Sequence, residues 1–163
     1  RHFMENTPVK DNIKYSMLTN GLMFKEFHPK VPHVINNLQE LGVSIDGASK
    51  ETYEKLRLGG RWDKIIEGLE CMAEQKQKHD FQFNLHMVVQ QDNWHELEEM
   101  LKLGRRYGVD EVYFNRIENW NTNVDFKHQT FINLDQFKSL LERVSTDPLV
   151  GPHLLLDFST KSF

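Results

Sequence analysis

The chain has 163 residues, 39% of them hydrophobic and 27% charged, which suits one ordinary globular domain and is too short for two large ones. Its net charge of −4 excludes the concentrated basic face that a nucleic acid or an anionic membrane requires. The single cysteine, Cys71, excludes an internal disulfide framework and any cluster ligated by cysteines of this chain alone. No apolar run approaches the roughly 20 residues that span a bilayer, and the first residues lack the order of a secretory signal. A cytoplasmic location, with no nucleic-acid or membrane partner, is the expectation.

Hydrophobic periodicity alternates along the chain between two and about 3.6, as it does where strands alternate with helices. Residues 13–20 read as a strand stopped by Gly21. Pro29 and Pro32 favour the first turn of a helix running to Leu41, with Gly42 as a left-handed exit into the strand "VSID". Ser49 is a natural N-cap for the helix "KETYEKLR". After Gly59 and Gly60, a longer helix over residues 61–78 places Trp62, Ile65, Ile66, Leu69, Met72 and Ala73 on one stripe. "FQFNLHMVVQ" is the longest strand. Asn93 and Glu96 have capping-box spacing for a helix from Trp94 to Tyr107, closed by Gly108. "EVYFNRI" is a further strand, residues 119–130 form a long polar loop, and Asn133 with Gln136 gives a second capping box before "LDQFKSLLERV". "HLLLDF" is a last strand or an extended tail. Short βα units of this kind imply parallel strands covered by helices. An open doubly wound sheet and a portion of a (β/α) barrel both satisfy the pattern.

Alternation divides each strand into two faces. Phe81, Phe83, Leu85, Met87 and Val89 share one face, and Gln82, Asn84, His86 and Val88 share the other. Val43 and Ile45 point to the helices while Ser44 and Asp46 point away. In the first strand Ser16 and Asn20 lie apart from Ile13, Tyr15 and Met17. Several strands thus turn polar groups to one common side. Unpaired, these would cost several kcal/mol each in an interior, so the pattern implies mutual hydrogen bonds or a polar ligand. Ser44 or Asp46 taken alone could equally cap the next turn. Parallel α/β proteins bind ligands at the carboxyl ends of their strands, where Asn20, Asp46, Gln90 and Ile117 fall.

The blocks "LTNGLMF", "VSIDGASKETYEKLRLGGRWDKIIEGLE", "FNLHMVVQQDNWHELEEM" and "LGRRYGVDEVYFNRIENW" occur in that order between about Ile13 and Trp120. Together they closely resemble the later part of radical S-adenosylmethionine (radical SAM) enzymes, nearest to the branch often followed by a SPASM or twitch extension. The resemblance implies an α/β fold, a partial (β/α) barrel fragment with parallel strands alternating with helices. The whole of residues 1–163 would be one domain, the C-terminal part of a six-stranded partial barrel. It implies S-adenosylmethionine across the strand ends and a [4Fe-4S] cluster in the intact parent. Ser44 would bond the amino-acid or ribose part of the cofactor and Arg57 its carboxylate. Asp46 and Asn84 would be cofactor-site residues facing the same cavity toward ribose or substrate, Asn20, also in the cofactor site, would end the third barrel strand, and the backbone near Ile117 would flank the adenine. His86 and Trp120 are the candidate substrate contacts, each with an alternative as a packed interior side chain.

The CxxxCxxC motif of the family does not occur, and neither does its glycine-rich GGE segment. Cys71, in mid-helix, reads as a small buried apolar residue. The expectation is a chain lacking the cluster-binding N-terminal segment, inactive by itself, with its natural start before Arg1. The missing segment would be its partner, and the exposed strand edge would lead it to self-associate. A cluster-free half-barrel serving as a binding or scaffold module is the alternative. None of the histidine spacings matches a zinc or iron motif, and "HELEEM" reads as surface charge at a helix start.

Overall fold

Alternating short strands and helices fold here as an α/β layer whose computed structural model describes residues 13–116 and 134–151. The described elements run β1 (Tyr15–Thr19), α1 (Phe24–Phe27), a 3-10 turn (His28–Lys30), α2 (Pro32–Asn36), β2 (Leu38–Ser44), α3 (Lys50–Leu56) and α4 (Trp62–Lys76). They continue with β3 (Gln82–Val89), a 3-10 turn (Trp94–Glu96), α5 (Leu97–Arg106), β4 (Glu111–Arg116) and α6 (Leu134–Ser145). The strands form one parallel sheet in the order β1-β2-β3-β4, as the α/β partial-barrel reading requires. Beyond β4, Val150 makes a parallel bridge to Val112. Ile117, Trp120, the polar loop 119–130, Asn133 and the segment 153–158 lie outside the described residues.

One face of the sheet carries the core. Leu41, Val43 and Ile45 from the β2 side, Phe83, Leu85, Met87 and Val89 from β3, and Val112 and Phe114 from β4 are buried. They meet Ile65, Leu69 and Met72 of α4, Leu97 and Met100 of α5, and Phe137 and Leu140 of α6 in one cluster. Each fully buried side chain of this size contributes roughly 1.5–3 kcal/mol, so the stripe on α4 largely fixes which way that helix faces. The opposite face carries Glu40, Ser44, Asn84, His86, Glu111 and Tyr113, since side chains alternate along a strand.

The helix expected to run from the prolines to Leu41 is wrong. α2 ends at Asn36, and Leu38–Ser44 is strand. Both prolines do sit at first-turn positions, of the 3-10 turn and of α2, but the apolar pair Leu38 and Leu41 is buried in the sheet. A three-residue spacing reads as helix because β2 carries an irregular register where Tyr15 and Ser16 pair with Leu38 and Glu40. Gly42 is therefore no helix exit. It stands in mid-strand, where an added Cβ would lie 2.8 Å from Nε2 of His86 and 2.9 Å from Cδ1 of Leu18; its missing side chain makes room for those two groups on the polar face.

The turn after β1 is locked by a second close approach. Gly21 adopts a positive φ of 74°, and its carbonyl oxygen lies 2.4 Å from where a Cβ on Gly68 of α4 would stand. An alanine favours a helix interior over glycine by about 1 kcal/mol, yet here it would press on backbone that has no rotamer to escape into. Gly68→Ala is expected to lower stability by about 1–3 kcal/mol. Urea unfolding measures this, and a stabilised variant would show that the α4–β1 contact is not tight.

Candidate cofactor-binding rim

Because the strands are parallel, their carboxyl ends lie along one rim. Asn20 follows β1, and its Oδ1 accepts the Leu22 N–H at 3.3 Å. Ser44 ends β2 on the polar face, opposite His86, which in turn pairs with Tyr113. The half-buried Ser44 hydroxyl has no hydrogen-bond partner among the described residues. Asp46, two residues on, is committed at both oxygens: Oδ1 accepts the Val88 N–H at 2.9 Å and Oδ2 accepts Arg57 Nε at 2.7 Å. Arg57 is the residue that closes α3, and the pair is partly shielded, with side chains 30% and 14% exposed. The structure thus brings Asp46 and Arg57 together, an ion pair that their separation in sequence does not announce.

Two buried polar residues hold this rim. Asn93, with no exposed surface, accepts the Gln90 N–H at 2.7 Å and donates to the carbonyls of Asp46 at 3.0 Å and Val88 at 2.8 Å. Its amide therefore carries the pairing of β2 and β3 past the point where the ladder stops. Glu96, 7% exposed, accepts the Ala48 N–H at 2.7 Å, the Ser49 hydroxyl at 2.5 Å and the Thr52 hydroxyl at 2.6 Å. The capping box predicted for Asn93 and Glu96 does not form. Neither side chain caps the 3-10 turn or α5, because both are drawn across to the loop that joins β2 to α3. Ser49 is the N-cap expected of it, accepting the Thr52 N–H at 3.2 Å. Glu96 belongs to this network and not to the surface charge read into "HELEEM".

Asn84 and His86 lie on the same face at different depths. His86 is level with Ser44, and its ring stacks on Tyr113 with centroids 4.8 Å apart and planes 12° from parallel. Burial pushes the imidazole below its ordinary pKa, against the opposing pull of Glu40, so the ring is neutral at pH 7. Asn84 sits two residues, roughly 7 Å, further from the rim. It is 1% exposed and donates through Nδ2 to Glu40 Oε1 at 3.0 Å. Tyr113 donates to Glu111, a bond that, with burial, pushes the phenol up to about 12.

No protein-family model matches the chain. A probable GTP 3',8-cyclase of Saccharolobus islandicus (strain Y.N.15.51 / Yellowstone #2) is 29% identical over 98 residues, 60% of this chain and 30% of that protein. An AdoMet-dependent heme synthase of Methanosarcina barkeri (strain Fusaro / DSM 804) is 28% identical over 103 residues, 60% of this chain and 27% of its own length. Among solved structures, SuiB of Streptococcus suis bound to S-adenosylmethionine superposes with a TM-score of 0.61 at 14% identity, over 93% of this chain and 36% of SuiB. These likenesses support radical SAM superfamily membership for the part of those proteins that the chain covers. It spans only about a third or less of the length of these proteins.

S-adenosylmethionine and an iron–sulfur cluster are the cofactors of the radical SAM superfamily. The rim fits the first of these in its chemistry: an open hydroxyl, amide oxygens and a guanidinium match a ligand with an ammonium, a carboxylate and a ribose diol. The described residues do not fit the second. Cys71 is buried in the apolar cluster under the sheet, with its Sγ 3.5 Å from Nδ1 of His28, and its thiol is pushed up by burial. Among the described residues, no group of three or more histidines, cysteines or acids is placed to hold a metal ion. None of the described helices is long and apolar enough to cross a membrane.

Glu96 gives this rim a pH signature. Burial by itself would raise its carboxyl, but the hydrogen bonds from Ser49, Thr52 and the Ala48 N–H outweigh burial and hold it below its ordinary value of 4.5. A depressed carboxyl contributes stability that is fully present above the unfolded-state pKa and is lost as pH falls through the folded one. Glu96→Gln is therefore expected to lower stability by about 1–3 kcal/mol at pH 7, with the deficit shrinking once the pH drops below about 4.5. Urea titrations across that range check it, and a deficit that does not change with pH would remove the carboxylate from the account.

Proposed function

We propose that this chain is the later part of a radical SAM enzyme barrel, of the SPASM or twitch-like branch, and that its strand-end rim holds S-adenosylmethionine. One observation carries the reading: Ser44 stands with its hydroxyl unpartnered among the described residues, beside an Asp46–Arg57 pair at the carboxyl ends of parallel strands. Ser44 bonds the amino or ribose group of the cofactor. Arg57, oriented by Asp46, offers a planar fork to its carboxylate. The family resemblance assigns Asp46, Asn20 and Ile117 to the cofactor, Asn84 to its ribose or the substrate, and His86 and Trp120 to the substrate.

In the intact parent, S-adenosylmethionine and a [4Fe-4S] cluster would supply the radical chemistry that acts on the substrate. No residue described here holds that cluster, so its thiolates come from another segment, and this chain alone is inactive. The relatives carry different names, a cyclase and a heme synthase, and give no common substrate.

Two measurements test the proposal. The gene product containing this chain, reconstituted anaerobically with iron and sulfide, is expected to release 5'-deoxyadenosine. If it releases none, the alternative of a cluster-free binding or scaffold module takes over. Ser44→Ala is expected to weaken S-adenosylmethionine binding about fivefold, the worth of one ordinary hydrogen bond, and unchanged binding by calorimetry would remove Ser44 from the site.

The same reading extends to partners. Among the described residues β1 is an edge strand, with Leu18 65% exposed on the polar face. In the parent, the rest of the barrel pairs with this edge; in isolation, a second copy does. Light scattering of the isolated chain at high concentration should show dimers, and a monodisperse monomer would contradict this.

A further inference from the structure

Below the rim, the polar face holds two carboxylates that no cation among the described residues answers. Glu40 accepts one hydrogen bond, from Asn84 Nδ2 at 3.0 Å, and Glu111 accepts one from the Tyr113 hydroxyl. Neither carboxylate forms an ion pair with any described residue. Among the described residues, His86 lies on the same face, and burial pushes its imidazole below the ordinary pKa against the opposing pull of Glu40. Between these acids sits Asn84, 1% exposed, whose Oδ1 is buried and has no hydrogen-bond partner.

That orphaned oxygen is not cured by turning the amide over. A flip would set Oδ1 against the Glu40 carboxylate and replace a hydrogen bond with repulsion between two acceptors. The amide is held with its donor toward β2, and its acceptor is left within the cluster. On the other side Asn84 pairs directly with Glu111 of β4, so the carboxylate-bearing positions flank it. A buried carbonyl oxygen left without a donor costs about 1–3 kcal/mol. Native interiors seldom leave one so unless a ligand or water completes it.

We propose that Asn84, Glu40 and Glu111 form a receptor for an N–H-bearing cation, an alkylammonium or guanidinium group carried by the substrate. This rests on the reading of the polar face as the interior of the barrel. Asn84 Oδ1 takes one N–H, and the carboxylates supply the opposite charge and further acceptors. The stacked His86 and Tyr113 rings stand level with Ser44, one step along the polar face above Asn84, and would flank an apolar stem linking the cation to the rim. The subsite thus selects substrates by a basic group held roughly 7 Å below the cofactor.

The test uses the 163-residue chain, labelled with 15N, and the side-chain amide signal of Asn84. Methylammonium and methylguanidinium are titrated as probes, with tetramethylammonium, which has charge but no N–H, and acetate as controls. The first two are expected to shift the Asn84 amide and the His86 ring, and the controls to leave them in place. Glu111→Gln should weaken methylguanidinium binding about tenfold, the loss of a charge-assisted contact; Asn84→Leu should abolish the shift of the His86 ring. Because Asn84→Leu is a core change, Glu111→Gln, at a half-buried position, carries the test if the first variant does not fold. An Asn84 signal that moves for no probe, as when water alone satisfies Oδ1, overturns the proposal. So does one that moves equally for tetramethylammonium. S-adenosylmethionine is titrated into the same sample. Shifts at Ser44 and Val88 without a cation response defeat only the subsite, and a cation response without them defeats only the cofactor reading.

Discussion

The pleat of a parallel sheet is the constraint from which the rest follows. Once Val43, Ile45, Phe83, Leu85, Met87 and Val112 are committed to the helices, alternation leaves Ser44, Asn84, His86 and Tyr113 no choice of side. A one-residue slip in any strand would bury these polar groups among leucines and expose the core. The register that stabilises the fold therefore also assembles the polar face. Stability and site are two consequences of one hydrophobic commitment.

The rim adds rigidity where strand pairing runs out. Asp46 is fixed by a backbone N–H on one oxygen and a guanidinium on the other, so Arg57 is aimed before any ligand arrives. Asn93 bridges the ends of β2 and β3, while Glu96 gathers the start of α3 by three donors. Such contacts set geometry more than they add stability, since much of each hydrogen bond only repays the desolvation of its partners. A preorganised arginine loses less freedom on binding an anion than a mobile one does.

Particular residues show how far sequence reasoning reached. The two faces of β3 were legible because polar and apolar residues alternate over residues 82–87. The stripe on α4 was legible for the same kind of reason at helical period. β2 was misread at its start because two prolines announce a helix, and the bulge that shifts the pairing at Glu40 hides the alternation. The spacing of Asn93 and Glu96 fits a capping box, but spacing cannot say whether a side chain turns to its own helix or to a loop 47 residues away. Those bonds, like the pair of Arg57 with Asp46 and the orphaned oxygen of Asn84, left no local signature. The candidates Ile117 and Trp120 fall outside the described residues, and the contacts assigned to Ser44 and Asn20 belong to the proposal.

By itself the sequence determined the class of fold, the parallel arrangement and which residues turn away from the helices. Periodicity is a local property and survives in the bare order of residues. Tertiary structure alone decided which polar groups meet, which are satisfied and which are left without a partner among the described residues. Hydrogen bonds and ion pairs depend on distances of a few tenths of an ångström between segments far apart in the chain, and only packing sets those distances.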